Sequence, residues 1–186
     1  MAQDIDTTET KTMEPANKGQ ENPRETYTGK RLTESQFAES MMIADIMRRE
    51  IQHSGRFKEK LADYAYAFAR TEKFDAQMGE TIIRNQFSDR HGQTMNAMRE
   101  KLMAQEEIVK ADPHAQSQAL HHARQVEPNI KNGDGMPYYR AVDKEAVSFA
   151  QVTRITEQGA KKIIQEAYER ETGADHALVY GHLVRT

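Results

Sequence analysis

From Leu32 onward, apolar side chains recur at steps of three and four through roughly a hundred residues, the spacing of amphipathic helices that must share a core. Thr33 with Gln36 makes a capping box, in which a hydroxyl and a side-chain amide each satisfy a donor at the helix start, and Leu32 is placed to staple onto Phe37. A helix over 34–53 follows, with Phe37, Met41, Ala44, Met47 and Ile51 on one stripe and Ser54-Gly55 as its stop. The second helix, over 57–73, turns Phe57, Leu61, Tyr64, Ala65 and Phe68 inward beside the small Ala62, Ala67 and Ala69. So short a connection predicts an antiparallel hairpin. Asp75 caps a third helix carrying Met78, Ile82, Ile83 and Phe87, which stops near His91-Gly92, and a fourth over 93–110 aligns Met95, Met98, Leu102 and Val109. Asp112-Pro113 opens a fifth, since proline at the first helical position loses no hydrogen bond. Its inner face of Ala115, Ala119, Leu120 and Ala123 is thin, and Pro128 is expected to stop it near Val126. Phe37, Leu61, Phe68 and Leu102 are the expected core anchors.

Beyond Pro128 the texture changes. Residues 129–136 read as a turn-rich linker around Asn132-Gly133-Asp134-Gly135. Tyr138 to Val142 reads as a short strand, Lys144 to Thr153 as a short helix, and Thr156 as the cap of a helix that Gly173 ends. Ala177 to Val184 carries two valines, a tyrosine and a glycine, which suits an extended strand lying beside Tyr138–Val142 or on a partner. The expected fold is therefore mainly α: an antiparallel bundle of about five helices over 32–128 and a small α or α+β subdomain over 137–186. Residues 1–31 are polar, unpatterned and too poor in apolar side chains to offset their chain entropy, so they read as a disordered tail, either a loose terminus or an arm that a partner reads.

Composition narrows the chemistry by exclusion. Without cysteine there is no disulfide framework, thiolate nucleophile or Cys-containing zinc site. No stretch reaches the roughly 20 apolar residues of a membrane span, so the plain expectation is a cytoplasmic protein with no membrane partner; export signals without an apolar core leave no trace in such a pattern. A mean hydropathy of −0.87 with 37 % hydrophobic and 30 % charged residues points to a thin helical body whose stripes partly need a partner. Residues 33–127 hold 13 Lys/Arg against 15 Asp/Glu, and 137–186 hold seven against seven. Neither part is the basic domain that displaces phosphate counterions, which disfavours nucleic acid as a partner.

Few side chains assemble into a reactive pattern. His114, Gln118 and His122 fall at i, i+4 and i+8 with His121 adjoining, but two aligned imidazoles without a carboxylate at the expected step are short of a zinc site, so they read as surface histidines. Glu106-Glu107 and Glu166 with Glu169 have the plainer role of surface ion pairing, for instance with Lys162 or Arg170 at a spacing of four. No phosphate-binding glycine loop is present. No catalytic residue, cofactor or metal is assigned. Seven of the ten methionines lie between Met41 and Met103; Met42 and Met103 fall beside the stripes, where flexible thioethers suit an adaptable binding surface. With Tyr138, Tyr139, Tyr180 and Leu183 as expected anchors in the last fifty residues, the reading is a non-enzymatic protein-interaction module: a regulator, adaptor, accessory subunit or translocated effector binding a protein partner or a second copy. A nucleic-acid-binding regulator and an enzyme with a site assembled from distant residues are the alternatives.

Overall fold

The computed structural model describes residues 32–132 and 136–184; the expected disordered tail, 1–31, lies outside the described residues. Their regular structure is helical throughout, with no strand among them. The capping box forms as the sequence dictates: Gln36 N–H donates to Thr33 Oγ1 at 3.3 Å and Thr33 N–H to Gln36 Oε1 at 2.9 Å, opening α1 (Glu34–Ser54). Gly55 closes α1 at φ +68°, a left-handed conformation that side chains resist. There follow α2 (Lys58–Glu72), α3 (Ala76–His91), capped by Asp75, and α4 (Met95–Ala111), capped by Thr94. The second half comprises α5 (Pro113–Asn132), α6 (Tyr138–Thr153), α7 (Glu157–Thr172), α8 (His176–Gly181) and a 3₁₀ turn, His182–Val184.

Two apolar cores result. One gathers Ile43, Met47, Ile51, Phe57, Leu61, Phe68, Ile82, Ile83 and Phe87 from the first three helices, with Met95 and Met98 from the start of α4. Here α3 packs on both α1 and α2, which touch each other less than the expected hairpin implies. The other gathers Val126, Ile130, Val142, Phe149, Ile163, Ile164, Tyr168 and Tyr180 from α5 to α8, and Val109 at the end of α4. Thus α4 runs from one core to the other, and α5, read with the first bundle, packs mainly on α6 and α7. Leu61 and Phe68 are fully buried; Phe37 and Leu102 are half-buried at the margin of the first core.

Three expectations are corrected. Helix α5 does not stop at Pro128 but runs through it to Asn132, so the first half of the expected linker, 129–132, is helix; 133–135 lie outside the described residues. Pro128 is exposed and removes a single ladder bond, whereas Val126 and Ile130 continue the stripe of Ala115, Ala119 and Ala123 into the core. Burying one isoleucine contributes about 1.5–3 kcal/mol, enough to offset most of an interior proline's penalty of about 3 kcal/mol. The segment Tyr138–Val142 is the first turn of α6 and not a strand, because the buried positions Ala141, Val142, Glu145, Ala146, Phe149 and Ala150 repeat at helical steps that five residues alone do not display. The segment Ala177–Val184 is likewise helical and not a strand. Asp175 Oδ1 accepts from the amides of Ala177 at 2.7 Å and Leu178 at 3.1 Å, capping α8 and overriding the local β preference.

The seam between the halves is polar. His53 Nδ1 lies 2.7 Å from Glu157 Oε2, and Thr156 Oγ1 donates to Glu106 Oε2 at 3.4 Å; within the first half, Arg99 Nε ties α4 to the end of α1 by donating to the Gly55 carbonyl at 3.1 Å. Lys110 Nζ pairs with the other Glu106 oxygen at 3.1 Å, so Glu106, read as a surface residue, is a largely buried tie between α4 and α7.

Candidate functional sites in the C-terminal half

Helix α5 turns one edge of its alanine face to α6, and there the buried Glu145 meets His122 and Asn129. A carboxylate on an apolar face must be hydrogen-bonded. Glu145 Oε2 lies 2.7 Å from His122 Nδ1, and Oε1 accepts from Asn129 Nδ2 at 2.6 Å. Lys144 Nζ in turn donates to Asn129 Oδ1 at 2.7 Å, and Asn129 Nδ2 also donates to the Gln125 carbonyl at 3.0 Å. The ring of His122 packs on Phe149 at a centroid distance of 5.6 Å. It opens onto a groove of about 360 Å³ lined by Ser117, Gln118, His121, Phe149 and Val152. Of the three histidines read as surface groups, His114 and His121 are exposed, while His122 is three-quarters or more covered. Among the described residues no group of three or more His, Asp or Glu is placed to hold a metal ion.

A second network anchors α8. His176 is fully buried and ringed by Tyr138, Tyr168 and Tyr180, with ring centroids 4.9–5.5 Å from its own. Gln165 Nε2 donates to Tyr138 Oη at 3.1 Å, Tyr138 O–H donates to His176 Nδ1 at 2.7 Å, and His176 Nε2–H reaches the Ala123 carbonyl at 3.3 Å. That bonding pattern assigns the neutral imidazole protonated on Nε2. Burial pushes the His176 pKa below its ordinary value, against the pull of the Ala123 carbonyl and of Glu169 and Asp175. Burial likewise raises the Tyr138 phenol, and burial with a hydrogen bond to Tyr168 raises Tyr180 strongly. In the other half, His91 packs edge-on to Phe87 at 4.7 Å with its Nε2 3.4 Å from Asp45 Oδ1, an oxygen already taken by Arg90 Nε at 2.6 Å. That Nε2 is buried without a hydrogen bond, and burial, then Arg48, lowers the His91 pKa.

The six expected protein-binding residues divide. Met42 and Tyr139 are exposed, at 56 % and 54 %. Met103 is half-buried, its methyl lying over Gly55 where a side chain there would collide with it. Tyr138 and Leu183 are half-buried against the second core, and Tyr180 is buried within it. Tyr180 is thus a core residue and not a surface anchor, because the helical turn of α8 brings it onto the same inward face as His176. Glu145, Asn129 and His176 were not singled out from sequence; the helical stripe through Ala141, Val142, Ala146 and Phe149 is the signal that places an acid on an apolar face, and Asp175 as a cap is the signal for α8.

A groove of about 640 Å³ between the α1–α2 turn and α4 brings Arg56, Lys58, Lys60 and Arg99 together with Glu50, Glu59 and Glu100. Alternating signs leave no continuous positive face there. No helix of the described residues is long and apolar enough to cross a membrane. The chain matches no family model, no curated protein and no solved structure.

Proposed function

We propose that this chain is a helical protein-interaction module, a regulator, adaptor or accessory subunit whose binding surface lies on the outer side of α6 and α8. The observation that supports this reading is the pairing of inward and outward side chains there. Tyr138 and His176 are tied together at 2.7 Å inside the molecule, while their near neighbours Tyr139 and Leu178 are 54 % and 76 % exposed. Large apolar groups held outward on a fixed scaffold lose little side-chain entropy on binding, and tyrosine is enriched among residues that dominate interface energies.

Light scattering across a concentration range, and capture of binding proteins by the parent chain and by a Tyr139→Ser/Leu178→Ser double variant, test the reading. Substitutions this exposed leave stability within about 0.5 kcal/mol. The expected result is association, with a second copy or another protein, that the double variant loses at unchanged melting temperature. A parent chain that is monomeric throughout, and that captures nothing the double variant fails to capture, overturns it.

A further inference from the structure

The network of Lys144, Asn129, Glu145 and His122 has a fixed polarity. Lysine only donates, so its 2.7 Å bond requires Asn129 to present Oδ1 to Nζ and its NH₂ group to Glu145 Oε1 and the Gln125 carbonyl. The remaining carboxylate oxygen, Oε2, only accepts, so His122 Nδ1 must carry a proton to donate across 2.7 Å. A neutral imidazole protonated on Nδ1 has its lone pair on Nε2. That atom makes no hydrogen bond among the described residues and is not among their buried unpartnered atoms, while the ring lines the groove with Phe149 and Val152. An unprotonated imidazole nitrogen, oriented by a buried carboxylate and open to an apolar groove, is the arrangement from which imidazole acts as a nucleophile.

We propose that His122 is an acyl-accepting nucleophile and that the groove takes the apolar acyl part of activated esters. Nε2 attacks the ester carbonyl carbon; the new C–N bond forms as the C–O bond to the leaving alcohol breaks, and the alcoholate departs with that electron pair and takes a proton from water. The acylated ring keeps its Nδ1 proton and carries a positive charge that Glu145 faces. Water then adds to the acyl carbon and gives up one proton to solvent, which balances the proton taken by the leaving alcoholate; the C–N bond returns its electrons to Nε2 and the carboxylic acid leaves, so that the sum is ester hydrolysis with His122 regenerated. His122 is the catalytic residue; Glu145, Asn129 and Lys144 position it. This inference is independent of the protein-binding surface on α6 and α8.

The probes are p-nitrophenyl acetate and p-nitrophenyl hexanoate, with release of p-nitrophenolate followed by absorbance and the acyl group located by mass spectrometry. His122 is expected to react at least about tenfold faster than free imidazole, the gain that about 1.4 kcal/mol off the barrier gives, and His122→Gln to fall to the level of the remaining histidines. Glu145→Gln gives a sharper test. Lys144 and Gln125 still orient the Asn129 NH₂, so the new amide must turn its oxygen to Asn129 and its NH₂ to His122 Nδ1, which then has to accept. The imidazole proton moves to Nε2 and the nucleophilic lone pair is lost from the groove. Imidazole ¹⁵N resonances are expected to show the Nδ1–H tautomer in the parent and the Nε2–H tautomer in Glu145→Gln, together with a rate loss comparable to that of His122→Gln. Val152→Ser, at an exposed groove position, is expected to erase any preference for hexanoate over acetate while circular dichroism stays unchanged. Acylation spread evenly over His53, His114, His121 and His122, a His122→Gln rate equal to the parent's, or an Nε2–H tautomer in the parent overturns the proposal.

Discussion

Glu106 on α4 rests its carboxylate against the Cα of Gly159 on α7, in space that any larger residue at that position would claim. The hydroxyl of Thr156 mediates the contact, accepting from the Gly159 amide at 3.0 Å while donating to Glu106 Oε2 at 3.4 Å. A carboxylate set at the start of α7 also faces the positive end of that helix. Replacing Gly159 by Ala is expected to drive Glu106 out and to destabilise the protein by about 1–2 kcal/mol, overpacking outweighing alanine's better helix propensity. Gly181→Ala, where a new methyl group meets nothing within 4 Å, is expected to be neutral or slightly stabilising. Denaturant midpoints of the two variants decide; equal midpoints would mean that the seam yields at no cost.

Leu61 is buried at 1 % exposure in the first core, whereas Leu102 lies half-buried at its edge. Leu61→Ala is expected to cost about 2–5 kcal/mol and Leu102→Ala clearly less, since the margin can collapse around a lost side chain. Urea titration of both proteins gives the ranking directly, and a reversed order would contradict the assignment of these faces.

His176 and His91 both have pKa values lowered by burial, so the folded chain favours their neutral forms. In the unfolded chain each titrates near the ordinary value of about 6.5. Above that pH both states are neutral and the contribution to stability is complete; as pH falls below it, the unfolded chain binds protons that the folded one refuses, and stability drops. The melting temperature is therefore expected to fall from pH 7 to pH 5. His176→Gln, though less stable at every pH, is expected to show a shallower fall over that window, and a slope equal to the parent's would remove His176 as a contributor.

Tyr138→Phe keeps the ring against His176 but deletes the hydroxyl that serves both His176 Nδ1 and Gln165. Leaving a fully buried imidazole nitrogen without its donor is expected to cost about 1–3 kcal/mol. Hydrogen exchange resolves where: protection is expected to drop first in the amides of α8, and a uniform loss across α5 to α7 would show that the network stabilises the whole core instead.

Pro128 sits exposed in the interior of α5 and leaves the Arg124 carbonyl without its helical donor. Pro128→Ala restores that bond and is expected to stabilise the protein by about 2–2.5 kcal/mol, the helix gain of about 3 kcal/mol being reduced by the freer unfolded chain. Thermal melts of the two proteins check the sign.

Features whose physics is local are legible in the chain before it folds. Thr33 with Gln36, Asp75 and Thr156 each satisfy helix-start donors within three residues, Gly55 and Gly173 close helices at positive φ, and the stripes through Met47, Leu61, Phe68, Ile83 and Phe87 repeat often enough to name the buried face. Where a segment is short, local preference misleads: Tyr138–Val142 and Ala177–Val184 have strand-like composition, yet their helical form follows from the core they enter, Ala141 and Val142 joining it from one and Tyr180 meeting Tyr168 and His176 from the other. Pro128 likewise reads as a stop until Ile130 is seen to have a core to enter. The candidate sites belong wholly to the tertiary structure. His122 and Glu145 are 23 residues apart, and His176 and Ala123 are 53 apart. No spacing rule links residues on separate helices, because their distance is set by how α5, α6 and α8 pack and not by the chain between them.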